Sequence, residues 1–174
     1  NKTKEVKLVS VYRDTYLNRG NDTYGKCNAA YAYNGAAQAM SMLNTNLDLA
    51  ITDFVTVNYQ AIKEAVDGLG GVWIDVDKEE IKHINNYQTS IIRDTDIPKS
   101  EYVAVTETGY QQLNGLQAAA YCRIRYGGGD DFKRTERQRE LIKAMETQAK
   151  TKSLGELTDL LPKVLKYVYT DIEL

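Results

Sequence analysis

Between Ile51 and Val76 the hydrophobic period changes twice, and this change restricts the possible folds more than any other feature of the sequence. Ile51 to Val57 reads as a strand. Asn58 is placed to cap a helix running from about Tyr59 to Leu69, in which Ile62, Ala65, Val66 and Leu69 share one face. Gly70-Gly71 stops that helix. Val72, Ile74 and Val76 then alternate with Trp73 and Asp75, the two-residue period of a strand buried on one face. Strand, helix and strand in this order point to a parallel crossover unit and hence to an α/β domain.

The rest of the chain is consistent with one such domain over residues 1–174, with no internal repeat and no linker. Glu5 to Tyr12 reads as a first strand and Arg13 to Gly25 as a polar loop, and Asn34-Gly35 precedes a helix from Ala36 to Leu43. From Asp77 to Glu107 the pattern weakens into a polar insertion or hairpin carrying the only histidine, His83. With no cysteine or histidine neighbours at ligand spacing, His83 is set aside as a surface residue. Leu113-Asn114-Gly115 marks a turn, Leu116 to Ala120 a short helix, and Tyr121 to Tyr126 a strand leading into Gly127-Gly128-Gly129. A long helix follows from about Asp131 to Ala149, and Leu154 to Tyr169 reads as a last amphipathic helix packed on the sheet.

Composition excludes several function classes. Hydrophobic residues make up 43% and charged residues 26%, which fits a globular domain. A formal charge of −2 gives no global attraction for nucleic acid, so any anion-binding surface has to come from local clustering of arginine. No apolar run reaches the ~18 residues of a membrane span, and no signal peptide opens the chain. A chain that begins inside a strand is expected to be a piece of a longer protein. Cys27 and Cys122 permit one disulfide in an oxidising compartment, and the same count fits two buried thiols, the preferred reading from number alone.

The chemistry is concentrated late in the chain. Arg123 and Arg125 stand two apart on the expected strand, which would send both guanidinium groups to one face. On the following helix, Gln138, Leu141, Ile142, Met145 and Ala149 form a stripe, and one step of four residues back from Gln138 reaches Arg134. Long polar side chains at the head of a buried stripe cost free energy unless they meet a partner, and a helix start also presents unpaired N–H groups. Arginine forks match phosphate oxygens, so the expected ligand is a phosphate or pyrophosphate. Neither a Gly-Lys-Ser/Thr phosphate loop nor a Gly-x-Gly-x-x-Gly fingerprint is present, which disfavours nucleotides. Asp130 and Asp131 read as helix-start residues. Arg13 falls at the end of the first expected strand, where ligands gather in parallel sheets. Nothing pairs a serine or cysteine with a base, so a nucleophilic triad has no support.

Four blocks resemble the LytR-CpsA-Psr family: Ser10-Val-Tyr-Arg-Asp-Thr15, Lys26-Cys-Asn-Ala-Ala-Tyr31, Gly70-Gly-Val-Trp-Ile-Asp-Val76, and the stretch from Leu113 to Gln138. The last is the most specific, with Leu-Asn-Gly-x-Gln-Ala, then Tyr-Cys-Arg-Ile-Arg, then Asp-x-x-Arg-x-x-Arg-Gln ending at Gln138. The resemblance implies a central mixed β-sheet flanked by helices on both faces, an apolar pocket for a polyprenyl chain and an arginine-rich mouth for its pyrophosphate. It further implies that Arg13, Arg123, Arg125, Arg134 and Gln138 hold the phosphates as catalytic residues. The implied reaction is magnesium-dependent transfer of a glycopolymer-1-phosphate, such as teichoic acid or capsule, from polyprenyl pyrophosphate to a hydroxyl of peptidoglycan. The implied location is the extracytoplasmic face of the membrane, with an anchor outside this chain. Tyr12 departs from the family's usual proline and Cys27 from its usual aliphatic residue, and the upstream strand with its metal-binding aspartates is not found, so the metal ligands stay unassigned. The alternative is a polyprenyl-phosphate-binding module without turnover; nucleic-acid binding is disfavoured.

Overall fold

The structure, a computed structural model, describes residues 7–125 and 130–173, with the side chain of residue 130 left aside. The chain divides into two compact units, one formed by the residues up to Thr56 together with those from Thr170 onward, the other by Val57–Tyr169.

In the first unit, β1 (Tyr16–Asn18) and β2 (Tyr24–Lys26) form an antiparallel hairpin in which Leu17 stands opposite Gly25. The turn between them has positive φ at Asn21 and Asp22, residue types that tolerate the left-handed region. Helix α1 (Cys27–Leu47) follows without a break and is interrupted at Asn34-Gly35, where Gly35 adopts φ 70°. The Asn-Gly pair read from the sequence is thus a break between two helices laid end to end. Next comes β3 (Val55–Val57), shorter than the expected Ile51–Val57 strand. The Phe54 N–H donates to Asp171 Oδ1 and Thr170 Oγ1 donates to the Phe54 carbonyl, which ties the C-terminal residues into this unit.

The expected first strand is not formed over its described part, residues 7–12, and Glu5 and Val6 lie outside the described residues. Thr15 N–H closes a turn on the Tyr12 carbonyl, and Asn28 N–H, at the start of α1, binds the Arg13 carbonyl. Arg13 therefore sits in a turn against α1, not at the carboxyl end of a parallel strand.

The second unit is built around α2 (Tyr59–Gly68), β4 (Val72–Val76), α3 (Lys78–Asp94), β5 (Gly109–Leu113), α4 (Gly115–Tyr121), α5 (Asp130–Ala149) and α6 (Leu154–Leu165), and the chain leaves it in β6 (Val168–Thr170). Asn58 caps α2 as expected, its side chain accepting from the Ala61 N–H. β4 alternates buried and exposed residues, with Val72, Ile74 and Val76 each at most 1% exposed. Burial of each contributes about 1.5–3 kcal/mol.

Two expectations fail here, for linked reasons. The polar stretch from Asp77 is a 17-residue helix, α3, not an insertion or hairpin. Asp77 and Glu80 form a capping box at its start, and Ile84, Gln88 and Ile91 make its buried stripe. This helix carries the chain back, so β5 arrives antiparallel to β4, with Ile74 opposite Gln111, and β4 gains no parallel neighbour from α2. The α/β class holds, and the sheets among the described residues are two-stranded pieces. The last helix ends at Leu165 and packs on α2, where Leu160 occupies the space a Cβ at Gly68 would need.

Helix α4 is buried along its whole length. Asn114 and Gln117 complete a capping box at its start, and Gly115 N–H donates to Asp67 Oδ1 at 2.6 Å. A side chain at Gly115 would run into the Lys63 carbonyl, which explains the glycine of the Leu-Asn-Gly-x-Gln-Ala block as a close approach of α4 to α2.

Candidate active site

A cavity of about 1090 Å³ in the second unit lies between α2, α5 and the turn after α4. Its lining changes character along α5. Arg134 and Gln138 come first, then Leu141, Ile142 and Met145, so the wall passes from charged to apolar over roughly 16 Å at 1.5 Å per residue. Ile62 and Ala65 of α2 and Val164 of α6 extend the apolar part. The sequence stripe headed by Arg134 and Gln138 is therefore the wall of a cavity that is polar at one end and greasy at the other.

Arg123 and Arg125 enter the same charged end, though not from a strand. Tyr121 closes α4, and the Arg123 and Ile124 N–H groups donate to the Ala120 and Tyr121 carbonyls, so Tyr121–Arg125 is a helix exit and turn. Tyr126 and the three glycines lie outside the described residues. The alternation Arg-Ile-Arg survives in a different backbone: Ile124 is fully buried while both arginines line the cavity.

Three arginines line this cavity and, among the described residues, no carboxylate does. The acids nearby stand behind the arginines and hold them loosely. Asp131 Oδ1 lies 3.5 Å from Arg125 Nη2 and 3.3 Å from Arg134 Nη2, and Asp94 Oδ2 lies 3.5 Å from Arg123 Nη2. All three distances exceed the ~2.7–2.9 Å of a tight charge-assisted bond. Among the described residues, Arg123 Nη1 and Arg134 Nε are buried and have no hydrogen-bond partner. Buried donors left unpaired are costly and call for a ligand, and at three clustered cations that ligand is an anion.

Sequence reasoning missed how Arg123 is held. Its guanidinium lies between two rings, 5.1 Å from the centre of Tyr59 and 5.6 Å from that of Tyr87. Stacking of this kind fixes the plane of the fork while leaving its edge free for oxygen. Tyr59, Tyr87 and Asp94 come from α2 and α3, far from Arg123 in sequence, and no local spacing announces them.

Cys122 is part of the cavity wall, and burial pushes its thiol up to about 12, so it stays protonated and unreactive at neutral pH. Cys27, in the first unit, is also a free thiol, raised by burial. Arg13 lies in the first unit as well, with its Nε 3.3 Å from Asp14 Oδ1, while Asp14 is also 3.3 Å from Lys26 Nζ. The second arginine of the Asp-x-x-Arg-x-x-Arg-Gln block, Arg137, is not in the cavity: its Nε donates to Glu80 Oε1 at 2.7 Å in the core, with both side chains under 10% exposed.

The family profile LytR_cpsA_psr matches residues 1–174. The chain is similar to biofilm regulatory protein A of Streptococcus mutans, 32% identical over 99% of this chain and 42% of that protein. It is also similar to the polyisoprenyl-teichoic acid–peptidoglycan teichoic acid transferase TagV of Bacillus subtilis, 28% identical over 99% of this chain and 42% of that one. The crystal structure of B. subtilis TagV superposes with a TM-score of 0.73 at 26% identity, covering 99% of this chain and 62% of that chain. This chain thus spans less than half the length of these two curated relatives. With the profile matched from end to end and the arginine cavity in place, the chain belongs to the LytR-CpsA-Psr family.

Proposed function

We propose that this protein transfers a glycopolymer-1-phosphate from a polyprenyl pyrophosphate carrier to a hydroxyl of peptidoglycan at the outer face of the cell membrane. The observation that carries this reading is the two-ended cavity, three arginines at one end and an apolar wall at the other. A pyrophosphate on a long hydrocarbon has the same two-ended character. The similarity to TagV, named as a polyisoprenyl-teichoic acid–peptidoglycan teichoic acid transferase, supports the same substrate classes.

In this reading Arg123, Arg125 and Arg134, with Gln138, hold the phosphates and neutralise the charge that develops on them. The acceptor hydroxyl oxygen attacks the phosphorus that bears the polymer. The bond from that phosphorus to the bridging oxygen breaks, and the lipid phosphate leaves with the electron pair and takes up the hydroxyl proton. Arg13 is assigned a share in phosphate binding on its motif alone.

Magnesium, which the family resemblance implies, does not fit the charged end of this cavity. Among the described residues no three His, Cys, Asp or Glu side chains converge, and Asp94 and Asp131 are each engaged by arginine. A magnesium requirement would need other ligands. The same observation favours a second reading, a module that holds lipid pyrophosphate without turnover.

Titration with undecaprenyl pyrophosphate and a transfer assay with lipid-linked polymer and peptidoglycan test both readings. Alanine at Arg123, Arg125 or Arg134 is expected to weaken binding about tenfold or more, the loss of one charge-assisted contact worth about 1.5–3 kcal/mol. Unchanged affinity in all three variants would remove the site. Tight binding with no product, with and without added magnesium, would leave the binding module.

A further inference from the structure

A second hollow, about 530 Å³, lies on the other side of Tyr59. It is formed between the start of α2, at Tyr59 and Gln60, and the end of α3, at Arg93, Asp94, Thr95 and Asp96. Its lining, which also includes Asn58 just before α2, differs in kind from that of the arginine cavity: two amides, a hydroxyl, two carboxylates, a guanidinium and an aromatic ring, with no aliphatic side chain. Three residues join the hollows, and Asn58 lines both. Tyr59 lines both and stacks on Arg123. Asp94, which lines the hollow, turns Oδ2 towards Arg123 Nη2 at 3.5 Å and accepts from Arg93 Nε through Oδ1 at 3.0 Å.

We propose that this hollow is the acceptor subsite, which takes a sugar chain and presents one of its hydroxyls to the phosphorus held at Arg123. The proposal rests on the transfer reading above, because only a transferase needs a second substrate there. The chemistry follows from the lining. A sugar chain offers alternating donors and acceptors with flat C–H faces, and amide, carboxylate, hydroxyl and aromatic groups meet these in turn. A lipid tail or a second pyrophosphate would find no apolar wall and two carboxylates facing it. The position also fits the reaction: the hollow adjoins the arginine cavity at Asn58 and Tyr59, and its Asp94 reaches Arg123, so an acceptor held there would lie beside the phosphates.

The probe is chitotetraose, a soluble β-1,4-linked aminosugar oligomer, added to isotope-labelled protein and followed by amide chemical shifts. The expected result is a saturable set of shifts centred on Gln60, Thr95 and Asp96, weakened at least fivefold by Gln60→Ala or Asp96→Ala. In both variants binding of farnesyl pyrophosphate and the melting temperature are expected to stay as in the parent chain. Absence of shifts, shifts centred elsewhere, or equal oligomer affinity in both variants would overturn the subsite. Failure of farnesyl pyrophosphate to bind the parent chain would instead overturn the transfer reading, and the two titrations report these failures separately.

Discussion

Arg134 and Arg137 stand three residues apart on α5 and belong to two different regions. Arg137 faces the core, where its Nε donates to Glu80 at 2.7 Å and its guanidinium lies 5.9 Å from the Tyr121 ring centre. Arg134 faces the cavity, where among the described residues its nearest acid is at 3.3 Å and its Nε has no hydrogen-bond partner. A charge that stabilises a fold has its partners supplied by the chain, whereas a charge kept for a ligand has them withheld. The motif that contains both arginines therefore combines a structural residue with a functional one, and the residue type alone does not tell them apart.

The contrast breaks most visibly in the core. Arg137→Ala or Glu80→Ala breaks this buried pair and is expected to cost about 3–5 kcal/mol, read by chemical denaturation. Replacing the pair together, Arg137→Met with Glu80→Leu, should recover most of that loss. A cost under about 1 kcal/mol for either single change would erase the distinction between the two arginines.

Cys122 stands between the regions, lining the cavity while its Sγ contacts the Arg137 carbonyl at 4.0 Å. Its thiol is raised to about 12 in the folded chain, against about 8.5 when unfolded. Between these values the unfolded state loses a proton that the folded state keeps. Stability is therefore full below about pH 8.5 and falls as pH rises towards 12, by up to roughly 1.4 kcal/mol per pH unit. Denaturant midpoints measured from pH 7 to 10 check this, and Cys122→Ser should flatten the slope. In the folded chain Cys27 should alkylate well before Cys122.

On the cavity side, Arg134→Ala should weaken pyrophosphate binding about tenfold, about 1.4 kcal/mol. Its unfolding free energy should change by only about 0.5 kcal/mol. Calorimetric titration alongside a melting curve reads both, and a drop in stability comparable to that of Arg137→Ala would contradict the assignment. The smallest effect belongs to Tyr87→Leu, which removes one of the two rings around Arg123. A cation–π contact of about 0.5–1 kcal/mol translates into a two- to fivefold loss of affinity in the same titration, and an unchanged value would show that Tyr59 and Asp94 suffice.

Much of the second unit was legible because its signals are local. The Asn58 cap, the alternation of β4, the Asn114 turn and the stripe of α5 are all written within a few residues of where they act. α3 was not legible, since its buried stripe includes Gln88, whose Nε2 donates to the Val103 carbonyl at 3.0 Å, and a buried amide looks like a surface residue until its partner is known. The strand expected over Tyr121–Tyr126 is not formed in its described part, Tyr121–Arg125, yet both arginines reach one cavity. An alternating Cys-Arg-Ile-Arg segment mimics a strand, and only the preceding buried α4, which needs an exit, decides otherwise. Arg13 does not stand on a strand: its side chain lies beside Asp14, and its carbonyl accepts from the Asn28 N–H of α1, a contact that the residues around Arg13 do not announce.

The segment after α3 has no regular structure from Ile97 to Glu107 apart from a short 3-10 turn at Lys99–Glu101, yet side-chain amides clamp it in place. Asn85 both donates to the Val105 carbonyl and accepts from its N–H, at 2.9 Å each, and Gln88 and Gln117 share the Val103 carbonyl. In hydrogen-exchange terms this stretch should behave as core, its Val105 amide opening only with the helices that hold it. Arg93 and Asp94 end α3, and Thr95 and Asp96 join it to this clamped stretch, so the hollow they line is anchored at both ends. A ligand entering it would meet groups already in position, and little of its binding free energy would be spent on ordering the protein.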